Sequence, residues 1–399
     1  MMYFVPSWYH ENEYKENEQY WYRRRTVTEF DDSVKQVQMF NRNNIMDYKI
    51  LNLSYCPNFR HFLHRQSVFH APYWSCFDAI QEIRRTKVDI LSYRDLMWPE
   101  YTEFVYTPFC IVAYVRNEKY AEIHFGEDGN MIEVFLFQSD IMVRKNVYDD
   151  RGFLSTTIVY EKNQPIYEQY LDEKGNWKLL HFFEDDHIEI NSENPYYLIG
   201  NKRFAFGSLN YDSMESLIEE VFSTYLDEMT EKSDIFCLAM HTLHHDLLES
   251  LFTQRKTILS FYQNRMELFE DAELKSLIRS TNYCIVDSKH KIRPLEKYAG
   301  KNLPIVDITP FDTRADFGIS QQLTVQNILV PIDSIEQSKL EALIVLFANY
   351  FEMNETARVH FFTRNANWDR VDSVLDFTRE VLKANGLDER LARKETNDK

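Results

Sequence analysis

Three segments near the middle of the chain end in a glycine at one fixed interval. Phe125-Gly-Glu-Asp-Gly129, Tyr148-Asp-Asp-Arg-Gly152 and Leu171-Asp-Glu-Lys-Gly175 place their last glycines 23 residues apart. Each glycine can adopt the positive φ that a hairpin turn requires, and two extended strands fit within each interval. The flanking stretches FVYTPFCIVAYV, AEIHF, MIEVFLF, FLSTTIVYE, PIYEQYL, WKLLHFF and HIEIN are rich in β-branched and aromatic residues and read as alternating strands. This spacing predicts an antiparallel meander over residues 100–208, with tyrosine and phenylalanine on its shared face.

The sequence on either side has a different texture. MYFV (2–5), stopped by Pro6, and YKILNLSY (48–55) are strands separated by a polar, helix-compatible stretch, which begins a β-α-β pattern. Pro57 and the segment Trp74 to Arg85 suggest further helix, and Trp98-Pro99 closes this part. After residue 209 a helix opens at Asp212 with Glu215 at capping-box spacing. Strands IFCLAM, TILSFY and YCIVD follow, separated by the helical stretches HDLLESLF and RMELFEDAELKSLIR. Strands joined by helices form a parallel sheet, so the meander is expected to interrupt a doubly wound domain. A last section holds strand NILVPID, a helix capped by Ser334, strand RVHFFTR, and a helix capped by Asn367 and stopped at Gly386. Two strands are too few for a stable open sheet, so this second α/β unit is expected to be completed by further chain. The expected organisation is a first Rossmann unit over 1–99, the inserted sheet over 100–208, the rest of the first unit over 209–300, and an incomplete second unit over 301–399.

A net charge of −18 on 399 residues repels phosphate backbones and anionic lipid, so nucleic acid and bare membrane are not expected partners. The one basic triplet, Arg23-Arg24-Arg25, reads as a solvated helix face. Five scattered cysteines without a C-x-x-C read as buried thiols of a reducing compartment. The first ten residues lack the basic region of a signal peptide, and the chain is expected to be cytosolic.

Chemistry concentrates in DIFCLAMHTLHHD, residues 234–246. On a helix His241, His244 and His245 would share one face beside Asp246, which is a conceivable metal set, yet no second segment offers matching ligands. Position says more than number. His241 follows a parallel strand, and ligands of open α/β sheets bind where strands end. Trp8 and His10 after the first strand, Tyr55 after the second, and Asp287 after YCIV are expected on the same rim. A base or sugar contact and a domain-interface role are equally consistent with such a histidine. Arg364, at the end of the last strand, could meet a phosphate or be an ordinary ion-paired arginine. The glycine-rich phosphate loops, the nucleophile elbow and the zinc-protease motif are absent, so no cofactor, metal or catalytic residue is expected.

MMYFVPSWYH, VYDDRGFLS, QYLDEKGNWK, CLAMHTLHH and DSIEQSKLEALIVLFANYFEMNETARVHFFT together resemble the first accessory secretory proteins of the accessory Sec system, over most of the chain. The resemblance implies a glycosyltransferase-B-like pair of Rossmann units with an inserted antiparallel β-sheet domain. It implies no retained sugar transfer. It further implies two companion accessory secretory proteins, an accessory SecA ATPase, a glycosylated serine-rich-repeat adhesin as cargo, and a cytoplasmic place next to the translocase. His10, His241, His245, Asp287 and Arg364 are then cleft or glycan-contact candidates. The rival expectation is an active nucleotide-sugar transferase using His241 and Arg364. A weaker third is a metal-dependent hydrolase built on the three histidines.

Overall fold

The computed structural model describes residues 1–399 except 10–12, 16–19, 21–30, 44–45, 245–246, 248–254, 264, 266–271, 301–302, 310–323, 334, 364–366 and 395–399. Two compact units emerge, Met1–Phe311 and Asp312–Lys399. No helix among the described residues is long and apolar enough to cross a membrane.

The first unit begins with β1 (Met2–Val5), α1 (Asp32–Asn43), β2 (Tyr48–Asn52), α2 (Phe59–Arg65), β3 (Tyr73–Ser75) and α3 (Cys76–Ile80). An antiparallel run follows: β4 (Thr102–Tyr106), β5 (Ile111–Val115), β6 (Glu118–Phe125), β7 (Met131–Gln138), β8 (Ile141–Asp149), β9 (Phe153–Glu161), β10 (Gln164–Leu171), β11 (Trp177–Phe182) and β12 (Ile188–Ile190). A separate hairpin, β13 (Tyr196–Ile199) and β14 (Lys202–Ala205), precedes β15 (Asn210–Tyr211). The unit ends with α4 (Met214–Met229), β16 (Ile235–Ala239), β17 (Lys256–Phe261), α5 (Ala272–Ser280), β18 (Tyr283–Val286), α6 (Ile292–Ala299) and β19 (Ile305–Asp307).

β1 and β16 are near-continuous apolar runs because they lie at the centre of a seven-stranded parallel sheet, ordered β19-β18-β17-β16-β1-β2-β3, with both faces covered. One core holds Leu51, Leu238 and Leu259 with Leu217, Val221 and Phe222 of α4. Another holds Phe4 and Ile50 with Val34 and Val37 of α1 and Phe62 of α2. Two details differ from the sequence reading. Tyr73 and Trp74 extend the sheet by pairing with Ile50 and Leu51, so only Cys76–Ile80 of the expected Trp74–Arg85 helix forms, capped by Ser75. β19 pairs with β18, which carries this sheet past residue 300, where the sequence reading ended the first unit.

The meander forms a ten-stranded antiparallel sheet ordered β15-β12-β11-β10-β9-β8-β7-β6-β5-β4. Gly129, Gly152 and Gly175 have φ of +84°, +88° and +86° at three of its turns. The intervening turns repeat at 23 residues as well. Arg116-Asn117, Ser139-Asp140 and Lys162-Asn163 each have two positive φ angles, the two-residue hairpin geometry that matches strand twist. FVYTPFCIVAYV is two strands rather than one, folded back where the Thr107 hydroxyl accepts the Cys110 N–H at 3.0 Å. β8 was not among the expected strands because Arg144-Lys145-Asn146 interrupts its apolar pattern. Lys145 is accommodated by an ion pair with Glu133 of β7.

A seam fastens this sheet to the parallel one. Tyr170 of β10 is fully buried, edge-on to Tyr55 at 5.2 Å and stacked on Phe77 at 5.6 Å. Arg151, in the middle glycine turn, donates to both oxygens of Asp78 in α3 at 2.8 and 2.7 Å and to both oxygens of Asp149 at 2.7 Å. Asp150 accepts the first backbone N–H groups of α2, from Arg60 at 2.9 Å and His61 at 3.1 Å. The paired carboxylates of this turn thus join two elements.

The second unit contains β20 (Gln326–Pro331), α7 (Gln337–Met353), β21 (Ala357–Phe362), α8 (Trp368–Ala384) and β22 (Ala392–Lys394). Its sheet is parallel, β20-β21-β22, and the third strand lies beyond Gly386, where the last expected element ended. Leu340, Ile344 and Phe351 of α7 and Val371 and Leu382 of α8 cover it. Asn367 caps α8 through the Arg370 N–H at 3.3 Å, and Gly386 at φ +72° follows its end. Ser334 lies outside the described residues; at the start of α7 the N-cap position is Glu336, which makes no side-chain cap bond.

Candidate functional site at the rim of the parallel sheet

His241 follows β16 with Met240 between them, as expected for a rim position. The backbone then turns as a 3-10 helix over Thr242–His244. This geometry replaces the helical face on which the three histidines were expected to align. His244 is buried. Its Nδ1 lies 2.6 Å from the Ala239 carbonyl and its Nε2 2.7 Å from the Tyr9 hydroxyl. The carbonyl can only accept, so Nδ1 carries the proton and Tyr9 donates to Nε2. Burial pushes the His244 pKa down to about 3, with the His241 and Arg265 charges adding to the effect. A histidine with both nitrogens engaged and no affinity for a proton is a packing element.

His241 is held similarly. Its Nδ1 accepts the Leu243 N–H at 3.2 Å, and its ring lies edge-on to Tyr9 at 5.2 Å. Burial and then the Arg265 charge lower its pKa to about 4, so it is neutral at physiological pH. Among the described residues no group of three or more His, Cys, Asp or Glu side chains could hold a metal ion.

The rim also carries Arg265, a residue the sequence reading missed. It follows β17 and turns towards the N-terminus of α1. It donates to Ser7 Oγ at 2.8 Å, Asp31 Oδ2 at 3.0 Å and Asp32 Oδ2 at 2.9 Å. Asp31 accepts the Ser33 N–H at 2.8 Å and the Trp8 indole N–H at 3.2 Å. Asp32 is also bonded by the Ser260 hydroxyl. Burial and the Asp31 charge raise the Asp32 pKa to about 6 against the opposing pull of Arg265. In nucleotide-binding α/β sheets a helix N-terminus after a strand is the usual seat for phosphate. Here two carboxylates stand at the start of α1 and claim the nearby guanidinium. The only signal in the sequence was Asp31-Asp32 before an amphipathic stretch, which is also an ordinary helix start.

The other candidates separate. Asp287 Oδ2 accepts the Gln263 N–H at 2.7 Å and pairs with Lys291 at 3.0 Å, while Oδ1 is buried with no hydrogen-bond partner among the described residues. Asp287 and Asp32 line a small cavity of 80 Å³ at the rim. Trp8 is buried against Phe62, its ring 4.8 Å away. Tyr55 is also buried and belongs to the seam rather than the rim, with its hydroxyl 3.3 Å from Thr156 Oγ1. His10, His245, Asp246 and Arg364 lie outside the described residues, as do the Arg23-Arg24-Arg25 triplet and most of the HDLLESLF stretch. Burial pushes the Cys76, Cys237 and Cys284 thiols up, away from reactive thiolate.

Parallel α/β sheets with a ten-stranded antiparallel sheet inserted in the first place the chain in the glycosyltransferase-B-like fold class. The pneumococcal O-GlcNAc transferase GtfA, solved with UDP and GlcNAc, shares this fold at a TM-score of 0.63 and 10% identity, covering 99% of this chain and 76% of that one. Within the class the assignment is narrower. The family model of accessory Sec system protein 1 (accessory secretory protein 1) matches residues 1–398, and the chain belongs to that family. A member from Streptococcus gordonii is 31% identical over 342 residues, 84% of this chain and 63% of that protein. A member from Staphylococcus aureus is 28% identical over 373 residues, 92% of this chain and 70% of that protein. The chain thus spans about two thirds of the length of these relatives. In solved structures it matches the complex of accessory secretory proteins 1, 2 and 3 of Streptococcus pneumoniae at a TM-score of 0.81 and 26% identity, covering 100% of this chain and 78% of that one. It also matches the Glycosylation Associate Protein complex of Streptococcus agalactiae at 0.80 and 28%, covering 99% of this chain and 79% of that one.

Proposed function

We propose that this chain is a non-catalytic scaffold and targeting component of the accessory Sec machinery that exports glycosylated serine-rich-repeat adhesins. It acts in the cytoplasm with accessory secretory proteins 2 and 3, next to the accessory SecA ATPase at the inner face of the membrane. The assembly part of the reading is supported by the solved complexes of its relatives. The non-catalytic part is supported by three described side chains of the rim. Arg265 is held by two carboxylates, and His241 and His244 are held neutral. A transferase needs preorganised donors facing its substrate, and a guanidinium already neutralised by Asp31 and Asp32 offers little to a diphosphate. His10, His241, His245, Asp287 and Arg364 remain the candidates for a glycan contact in the same reading.

The test is co-expression of the full-length chain with accessory secretory proteins 2 and 3, followed by size-exclusion chromatography with light scattering and a nucleotide-sugar consumption assay on the same fraction. A stable heteromer without turnover is the expected result. A chain that consumes nucleotide sugar, and loses that activity on His241→Ala, overturns it.

A further inference from the structure

At the β3 edge of the parallel sheet, between α2, α3 and the β13–β14 hairpin, lies a cavity of about 530 Å³. Its size falls in the range of about 300 to 1,000 Å³ that small-molecule sites occupy. Its wall carries Arg60, Arg84, Arg85 and Arg151 against one carboxylate, Asp78, in a chain whose net charge is −18. Arg151 already engages both oxygens of Asp78. Arg85 donates to the Gly152 carbonyl at 3.3 Å and lies 3.4 Å from Asp89. The backbone N–H groups of Arg60 and Arg84 donate to Asp150 Oδ2 at 2.9 Å and Glu173 Oε2 at 3.3 Å, and the Asp150 charge acts on Arg60, but neither guanidinium forms an ion pair among the described residues, and that of Arg60 rests 5.5 Å from the centre of the Phe69 ring. The cavity wall therefore carries four cationic side chains against the one carboxylate of Asp78, which Arg151 already engages. Leu63, Ile83 and Leu198, with Tyr73 and Trp74, supply its apolar surface.

We propose that this cavity binds a small soluble phosphate monoester with a sugar-sized carbon skeleton. A carboxylate is filled by one guanidinium fork, whereas a phosphate dianion has three terminal oxygens and can accept from two forks at once. Arg60 and Arg84 supply those forks, and the apolar wall takes the carbon skeleton. Arg151 and Arg85 hold the glycine turn that shapes the site. This site is separate from the rim of the parallel sheet, and the proposal does not depend on whether the chain transfers sugar.

Isothermal titration calorimetry on the full chain tests it, with glucose 6-phosphate, inorganic phosphate and glucose as probes. Glucose 6-phosphate is expected to bind saturably, inorganic phosphate to bind more weakly and compete with it, and glucose to give no heat. Arg60→Gln and Arg84→Gln should each weaken binding about tenfold, one charge-assisted hydrogen-bonding group's worth. Arg144→Gln on β8, outside this cavity, should leave it unchanged, and all three variants should melt with the wild type. Absence of saturable binding by both phosphate probes overturns the proposal, as does an equal loss in Arg144→Gln. Sedimentation with phosphatidylglycerol vesicles, abolished by Arg60→Gln and Arg84→Gln while both soluble phosphates fail to bind, would assign the arginines to a lipid surface instead and overturn it too.

Discussion

The rim of the parallel sheet and the seam to the inserted sheet both bury an arginine between two carboxylates, Arg265 between Asp31 and Asp32, and Arg151 between Asp149 and Asp78. They differ in what the ion pairs connect. Arg265 joins the loop after β17 to the start of α1 and a loop serine, elements the parallel sheet already places side by side. Arg151 joins a turn of the antiparallel sheet to α3, across a boundary that no pairing between the named strands crosses among the described residues. A buried ion pair contributes little net stability over an apolar substitute, but losing one partner strands a charge in a poorly solvated place. The same device therefore closes a potential ligand position at the rim and fixes the attachment of an inserted sheet at the seam.

The comparison breaks most readily at the seam. Arg151→Leu leaves the buried Asp149 and the half-buried Asp78 without their cation and should cost about 3 to 5 kcal/mol in urea unfolding. If its cost were no larger than that of Arg265→Leu, the distinction between the two arginines would be lost. Gly152→Ala comes next. An added Cβ would stand 1.7 Å from the Asp89 carbonyl oxygen at a φ of +88°, whereas nothing lies within 4 Å at Gly129 or Gly175. The three glycines repeat identically in sequence, yet the middle one should cost about 3 kcal/mol and the outer two about 1 kcal/mol. Equal melting shifts for the three alanine variants would show that the Asp89 loop yields freely.

At the rim the expected effects are smaller. His244→Ala removes a buried ring and two hydrogen bonds and should cost about 2 kcal/mol. His241→Ala should cost about 1 kcal/mol and leave association with accessory secretory proteins 2 and 3 unchanged. The protonation states sharpen the contrast. His241 and His244 should titrate near pH 4 and 3 in an NMR titration of the imidazoles, while exposed His187, raised by its hydrogen bond to Asp185, should titrate above the ordinary 6.5. Both buried histidines bind fewer protons folded than unfolded, so their contribution to stability is complete above pH 6.5 and declines as pH falls towards 4 and then 3. Observing either rim histidine protonated at pH 6 would reopen it as an acid or base.

Turn chemistry and hydrophobic period were legible without coordinates. The glycine interval located the meander, since a turn that needs positive φ admits few residues, and continuous apolar runs such as IFCLAM marked strands covered on both faces. The strand-end position of His241 followed from the same reasoning. Features that depend on partners distant in sequence were not legible. Lys145 kept β8 from being singled out as a strand because its compensating Glu133 belongs to another strand. Arg265 was missed because the carboxylates that claim it are 234 and 233 residues away. Tyr55 carried the right pattern for the rim, but the inserted sheet buries it.

The sequence by itself determined the glycine turns of the meander, the central strands of the parallel sheet and that a meander interrupts a parallel α/β unit, because these depend on local backbone freedom and on the period of apolar side chains. Only the tertiary structure decided that the HTLHHD stretch holds its described histidines neutral and engaged, and that the arginines of the β3 edge line an open cavity. Whether a charge or imidazole is satisfied or available depends on burial and on groups supplied from across the fold, and neither is a property of any short stretch of residues.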